Sequence, residues 1–343
     1  MTATMKPPTV ARDAAAPAPG APTAPAYHWH RPLLWLAAAM VVLSVACGIG
    51  MLVDDRTLLG VNVWEKPLKF AISTVVYAVT WAWLIGQLHR FRRAAWWAGT
   101  AAVVLLLIEL VIITGAAAAG ITSHFNVSTT FATVLWSVMA FSITALWVAT
   151  FVVSVLLFRN PFADSARSLA VRAGALIALA GMALAFLMTG PNADQLSDFQ
   201  GVAGAHAVGV PDGGPGLPLL GWSTVAGDLR IPHFVGMHAL QVIPLALLAI
   251  ELLSRRVARL RVERVRFGLV GVVTGAYVAV LALLTWQALR GQSIVQPDAV
   301  TLAAAGLIAA ASLVAALVVL VRGGSVTARR TLSEPRAARS VSR

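Results

Sequence analysis

A single carboxylate interrupts the apolar run Leu105-Leu106-Leu107-Ile108-Glu109-Leu110-Val111-Ile112. In such surroundings a carboxyl group must be neutral, paired or wetted, because burying an isolated charge is costly. Two readings follow. Glu109 is either a protonated hydrogen-bonding group between helices, or a ligand or proton-transfer group. His238, six residues past Pro232 in another apolar run, poses the same choice between a packing polar residue and a ligand or acid/base group. Other polar side chains gather on the same side of the chain: Glu65, Lys66 and Lys69, His124 and Asn126, His206, Asp228 and Arg230, then His233 and Gln241. Four of the seven histidines belong to this set, so it is the place to look for chemistry. His124, His233, His238 and Glu109 are the donor types that hold a divalent metal. Two histidines on facing helices would also suit haem b. Glu109, His238, Gln241, Lys69, Asp228 and Arg230 would instead line a pocket for a small polar solute or ion.

Helical rise sharpens the expectation. His238 lies about 9 Å, and Glu109 about 12 Å, below the outer ends of their helices at 1.5 Å per residue. The two are therefore expected to meet in one outward-opening pocket. Gln241, three residues on, shares the His238 face, whereas His233 lies about 140° around a regular helix from His238. Lys66 and Lys69 could snorkel to the headgroups. Lys69, Ser73, Tyr77 and Thr80 form a stripe at helical spacing, with Thr129, Thr133, Ser137 and Thr144 as its partner stripe or as interhelical glue. Glu251 and Arg255 read as an i, i+4 structural pair. His28, His30 and His89 read as interfacial bystanders.

The elements that position these residues are eight apolar runs, at about 32–53, 67–88, 94–117, 129–158, 168–189, 232–253, 266–289 and 299–321. Each approaches the ~20 residues a helix needs to cross a hydrocarbon core. The expected fold is an all-α polytopic transmembrane bundle of residues 32–321. Of 26 Lys and Arg residues, 21 fall on one side of the runs. The other side holds Arg56, Lys66, Lys69, Arg230 and Arg290. Basic excess marks the cytoplasmic side, so both termini are expected in the cytoplasm. Residues 1–31, rich in Pro, Ala and Thr, and the basic segment 322–343 read as disordered tails. The extracytoplasmic segment 190–231 is far longer than an ordinary connection. Its Pro211-Asp212-Gly213-Gly214-Pro215-Gly216 turns, with Leu219, Leu220 and Trp222 to dock it, predict an ordered cap.

A net charge of +12 invites a nucleic-acid partner, but the arginines sit in short loops at helix ends, where the lipid bilayer is the partner. Nucleic-acid binding is not expected. The lone Cys47 permits no intramolecular disulfide and reads as a small buried residue. Phosphate-loop, dinucleotide-binding, zinc-protease and nucleophile-elbow signatures are absent from the sequence.

Several strings occur in combination: Trp64-Glu65-Lys66-Pro67-Leu68-Lys69-Phe70, Ser123-His124-Phe125-Asn126, Pro211-Asp212-Gly213-Gly214-Pro215-Gly216-Leu217-Pro218, Gly227-Asp228-Leu229-Arg230 leading into Pro232-His233-Phe234, and His238-Ala239-Leu240-Gln241. Together they resemble a group of uncharacterised bacterial multi-pass membrane proteins over about residues 54–250. That resemblance implies a membrane protein and no particular activity. The Ala, Val, Arg and Gly usage points to a high-GC bacterial sequence and hence to the plasma membrane. Three functions remain open: a metal- or haem-binding redox protein, a transporter of a small solute or ion through the same pocket, and a membrane enzyme acting on a lipid or quinone with His238 as acid/base.

Overall fold

The computed structural model describes residues 29–162 and 164–333. Most of the predicted first tail and the last ten residues of the second lie outside them. Among the described residues ten α-helices run in order: α1 Arg31–Val53, α2 Glu65–Gly86, α3 Arg92–Ala119, α4 Thr130–Arg159, α5 Ser165–Ala183, α6 Ala193–Ser197, α7 Arg230–Met237, α8 Ala239–Leu253, α9 Glu263–Leu289 and α10 Ala299–Ser333. Among the described residues seven helices are long and apolar enough to cross a membrane, or eight segments if α7 and α8, bent by 47° at their junction, count as one span. The protein is thus a multi-pass helical membrane protein. Helices suit that solvent because every backbone polar group finds a partner within the segment. α10 continues past residue 321, where the sequence places the start of a tail, to Ser333.

Local chemistry sets the ends of these helices. The Thr129 hydroxyl accepts from Ala132 N at 3.1 Å to start α4, and Asp164 accepts from Arg167 N at 3.0 Å to start α5. α3 stops at Gly120, φ +70°, with Ile121 N donating to Ala116 O at 3.0 Å. That left-handed residue needs no Cβ, and the bond satisfies a terminal carbonyl.

The bend in the eighth span has a physical cause. The Tyr277 hydroxyl of α9 donates to Val235 O at 2.5 Å, the acceptor that the Ala239 N–H would use in an unbroken helix. Gly236 and Gly181 also lie backbone to backbone, and a Cβ on either would overlap the other. The regular helix expected across 232–253 is therefore two helices hinged at His238.

The main core joins α1 to α4 through Leu33, Met40, Trp81, Leu110, Leu146 and Leu157, with Val171 of α5. Cys47 is fully buried. A second cluster joins α5, α8 and α9 through Ala170, Ile243 and Val270. α10 packs on α9. Segment 190–231 lies across the end of the bundle where α2 begins. There β3 (Ala207–Val208) pairs antiparallel with β4 (Gly227–Asp228), Val202 bridges to Asn126, and Gly227 packs on the Ala288 carbonyl of α9. A short hairpin of β1 (Thr57–Leu58) and β2 (Val61–Asn62) meets it where Gly60 faces Gly213.

Candidate functional site

Glu109 lies ten residues inside the end of α3, about 15 Å along the helix, and is 2% exposed. Neither carboxylate oxygen has a hydrogen-bond partner. The group facing it is His124, in the loop after α3, whose Nε2 is 3.8 Å from Oε1. That exceeds hydrogen-bonding distance. The other imidazole nitrogen, Nδ1, lies 3.1 Å from Lys66 Nζ and 3.0 Å from Ser123 Oγ. An ammonium has no lone pair to offer, so Nδ1 accepts from Lys66 and the ring proton resides on Nε2, aimed at Glu109. Ammonium, imidazole and carboxyl thus stand in series, from a half-buried lysine to a fully buried acid.

The imidazole is boxed by Phe70 at 5.7 Å, Trp136 at 5.5 Å and Phe125 at 6.0 Å between ring centroids. Phe125 adopts φ +63°, a conformation that costs a non-glycine residue energy and is held here by its neighbours. Its ring packs on Trp136 and on His206. Burial, followed by the charges of Lys66 and His206, pushes the His124 pKa well below the ordinary imidazole value. His124 is therefore neutral at pH 7 and able to pass a proton between its two nitrogens.

The other predicted pocket residues have partners of their own. Lys69 binds Glu65 Oε1 at 2.9 Å, one helical turn away, and the Leu220 carbonyl at 3.2 Å. Arg230 clasps Asp228 with Nε to Oδ1 at 2.9 Å and Nη2 to Oδ2 at 2.6 Å, and donates to the Gly221 carbonyl at 2.5 Å. Asp228, 1% exposed, also accepts from Ser223 N at 2.8 Å. These two ion pairs hold adjacent carbonyls of the long segment, so they anchor it.

Among the described residues no hydrogen bond or ion pair joins Glu109 to His238. α3 packs on α4, α2 and α1, whereas α7 and α8 pack on α5 and α9. His238, at the hinge, has Nδ1 3.3 Å from Gln241 Oε1 and its ring against Phe234 at 4.4 Å. The predicted sharing of a face with Gln241 holds, but the depth argument fixed height along the membrane and not azimuth in the bundle. His233 donates from Nδ1 to Gly181 O at 2.9 Å. Among the described residues no group of three or more His, Cys, Asp or Glu side chains is placed to hold a metal ion. Of the four proposed ligands, His124 and Glu109 face each other, whereas His233 bonds Gly181 and His238 lies against Gln241.

Further expectations change. Glu251 pairs with Arg167 at 3.2 Å, across helices, and not with Arg255. Thr133, Ser137 and Thr144 bond the carbonyls one turn back within α4. The hydroxyl that meets α2 belongs to Thr150, 3.3 Å from Tyr77. His30, expected to be a bystander, is 2% exposed. Sequence reading also passed over Asp212, which binds His206 Nδ1 at 2.5 Å and accepts from His206 N and Ala207 N at 3.0 Å each. The Asp-Gly-Gly turn was visible, but not that its carboxylate closes on a histidine six residues earlier. No protein-family model, curated protein or solved structure matches this chain.

Proposed function

We propose that this protein is a transporter of a small solute or ion in a bacterial plasma membrane, with both termini cytoplasmic, and that its cycle protonates and deprotonates Glu109 through His124 and Lys66. The observation that carries this reading is the Glu109 carboxyl, buried within the bundle with neither oxygen hydrogen-bonded. A structural carboxyl would close on a donor, because leaving it open forfeits about 1–3 kcal/mol or more. An acid that must change charge gains from the opposite arrangement, a neutral imidazole held just out of contact. The half-buried Lys66 supplies the outer end of the relay. A bound anion or a delivered proton at Lys66 would alter the charge felt by His124 and hence by Glu109. The arginine-rich ends of the helices support the orientation, which sets Lys66 on the extracytoplasmic side.

The test is proton entry into liposomes that contain the purified full chain and a trapped pH-sensitive dye. An imposed inward proton gradient should dissipate faster than in empty liposomes, and Glu109→Gln should remove the excess. Equal rates for native chain and Glu109→Gln would sink the proposal.

A further inference from the structure

At the end of the bundle opposite the long segment, α1 and α3 begin side by side and enclose an open cleft of about 830 Å³. Its floor is fixed by His30. Nδ1 accepts from Leu33 N at 3.3 Å, so the ring proton is on Nε2, which donates to the Trp96 carbonyl at 3.0 Å. That bond ties the start of α1 to the first turns of α3, and Gly99 beneath it leaves no room for a Cβ beside the imidazole. Burial lowers the pKa of His30, so the tie is between neutral groups and persists at pH 7.

Two features of the cleft call for an occupant. Arg31 and Arg92, the first residues of their helices, both line it. Both are exposed, and among the described residues neither has a hydrogen-bond or ion-pair partner. At the same end of the bundle Arg167 is engaged with Glu251 and Arg266 with Asp164. The cleft walls are aromatic: Trp35 is 76% exposed, and Trp29 and Trp96 are 41% exposed each. Tryptophan in such numbers at a helix mouth belongs to the headgroup level of a bilayer, where its apolar ring meets chains and its N–H meets polar groups. A free anion would leave these rings unused, and a neutral lipid would leave the guanidiniums uncompensated.

We propose that this cleft binds one anionic phospholipid, its phosphate held between Arg31 and Arg92 and its first acyl segments laid along Trp35 and Leu34. Guanidinium groups hold phosphate through paired N–H donors, and basic sites between helices recruit acidic lipid headgroups. The site is separate from Glu109 and does not depend on the transport reading.

Native mass spectrometry of the full chain in detergent tests it, with phosphatidylglycerol, phosphatidylcholine and inorganic phosphate as the probes. One phosphatidylglycerol should be retained at about tenfold lower concentration than phosphatidylcholine. That preference should vanish in the Arg31→Gln/Arg92→Gln double variant and survive Arg255→Gln/Arg256→Gln, which removes two exposed charges outside the cleft. Equal retention of the two lipids would overturn the proposal. So would retention of inorganic phosphate without lipid, an unchanged preference in the cleft variant, or an equal loss in the control, which would show diffuse attraction to a basic surface. All four residues are exposed, and the thermal midpoint of each variant verifies that it is folded.

Discussion

Two histidine–carboxylate pairs lie near each other, one within the long segment and one in the bundle beside it, and they are built in opposite ways. His206 and Asp212 are closed. Nδ1 and Oδ2 are 2.5 Å apart, and two backbone N–H groups complete the carboxylate's shell. Burial would raise the Asp212 carboxyl, but the hydrogen bonds from His206 and the backbone outweigh it and hold the group down at about 2. His124 and Glu109 are open: 3.8 Å apart, with no hydrogen bond to either oxygen. The residue types are nearly the same, so type alone does not separate structure from function. What separates them is whether the surrounding backbone saturates the acid. A saturated pair pins a loop, and an unsaturated one keeps a proton in play.

The largest expected effect follows directly. Glu109→Gln should reduce proton flux about a hundredfold, the scale of a lost acid/base group, while the thermal midpoint holds or rises because a difficult buried group has gone. Asp212→Asn should do the reverse, leaving flux within about twofold and costing roughly 2–3 kcal/mol of stability through lost charge-assisted bonds. Paired flux and thermal-melt measurements check both. If Asp212→Asn stopped flux in folded protein, the contrast between the pairs would collapse.

Acid should distinguish them more gently. His124 and His206 both have pKa values lowered from the ordinary 6.5. The unfolded chain therefore binds their protons first, and stability is constant above about pH 6.5 and declines as pH falls below it. Asp212 is depressed from 3.8 to about 2, so its contribution is present above about pH 4 and is lost between about pH 4 and 2. Melting curves from pH 8 to 5 should show a falling midpoint, with a shallower slope in His124→Gln and a steeper one in Asp212→Asn, because Asp212 holds the His206 pKa up. A flat native profile would contradict the buried, neutral imidazoles.

The smallest expected effect is at Ser123. Its hydroxyl lies 3.0 Å from the same Nδ1 that Lys66 approaches at 3.1 Å. A rotatable hydroxyl can yield to the ammonium, so Ser123→Ala should alter flux less than about threefold and stability by about 1 kcal/mol. A loss as large as that from Lys66→Met would move the donor role from the lysine to the serine.

The spans, most of their ends to within a few residues though not that of α10, and the uneven placement of arginine were legible in the sequence. They depend on local composition and on the length needed to cross a bilayer, which each segment carries by itself. Glu109 also announced itself, because an acid in a leucine run is costly wherever it lands. Its partner did not. Helical rise gives depth for Glu109 and His238, and says nothing of a loop residue such as His124; which side chain faces α3 depends on how the segments are arranged around one another. That is settled by packing between distant segments, where Gly181 meets Gly236 and Tyr277 takes the Val235 carbonyl. The same packing breaks the eighth span at His238 and leaves Asp212 to find His206. Sequence fixed the inventory of charges and their depth. Tertiary structure decided which of them were neutralised and which stayed open, because saturation of a buried group is a property of its neighbours and not of the residue.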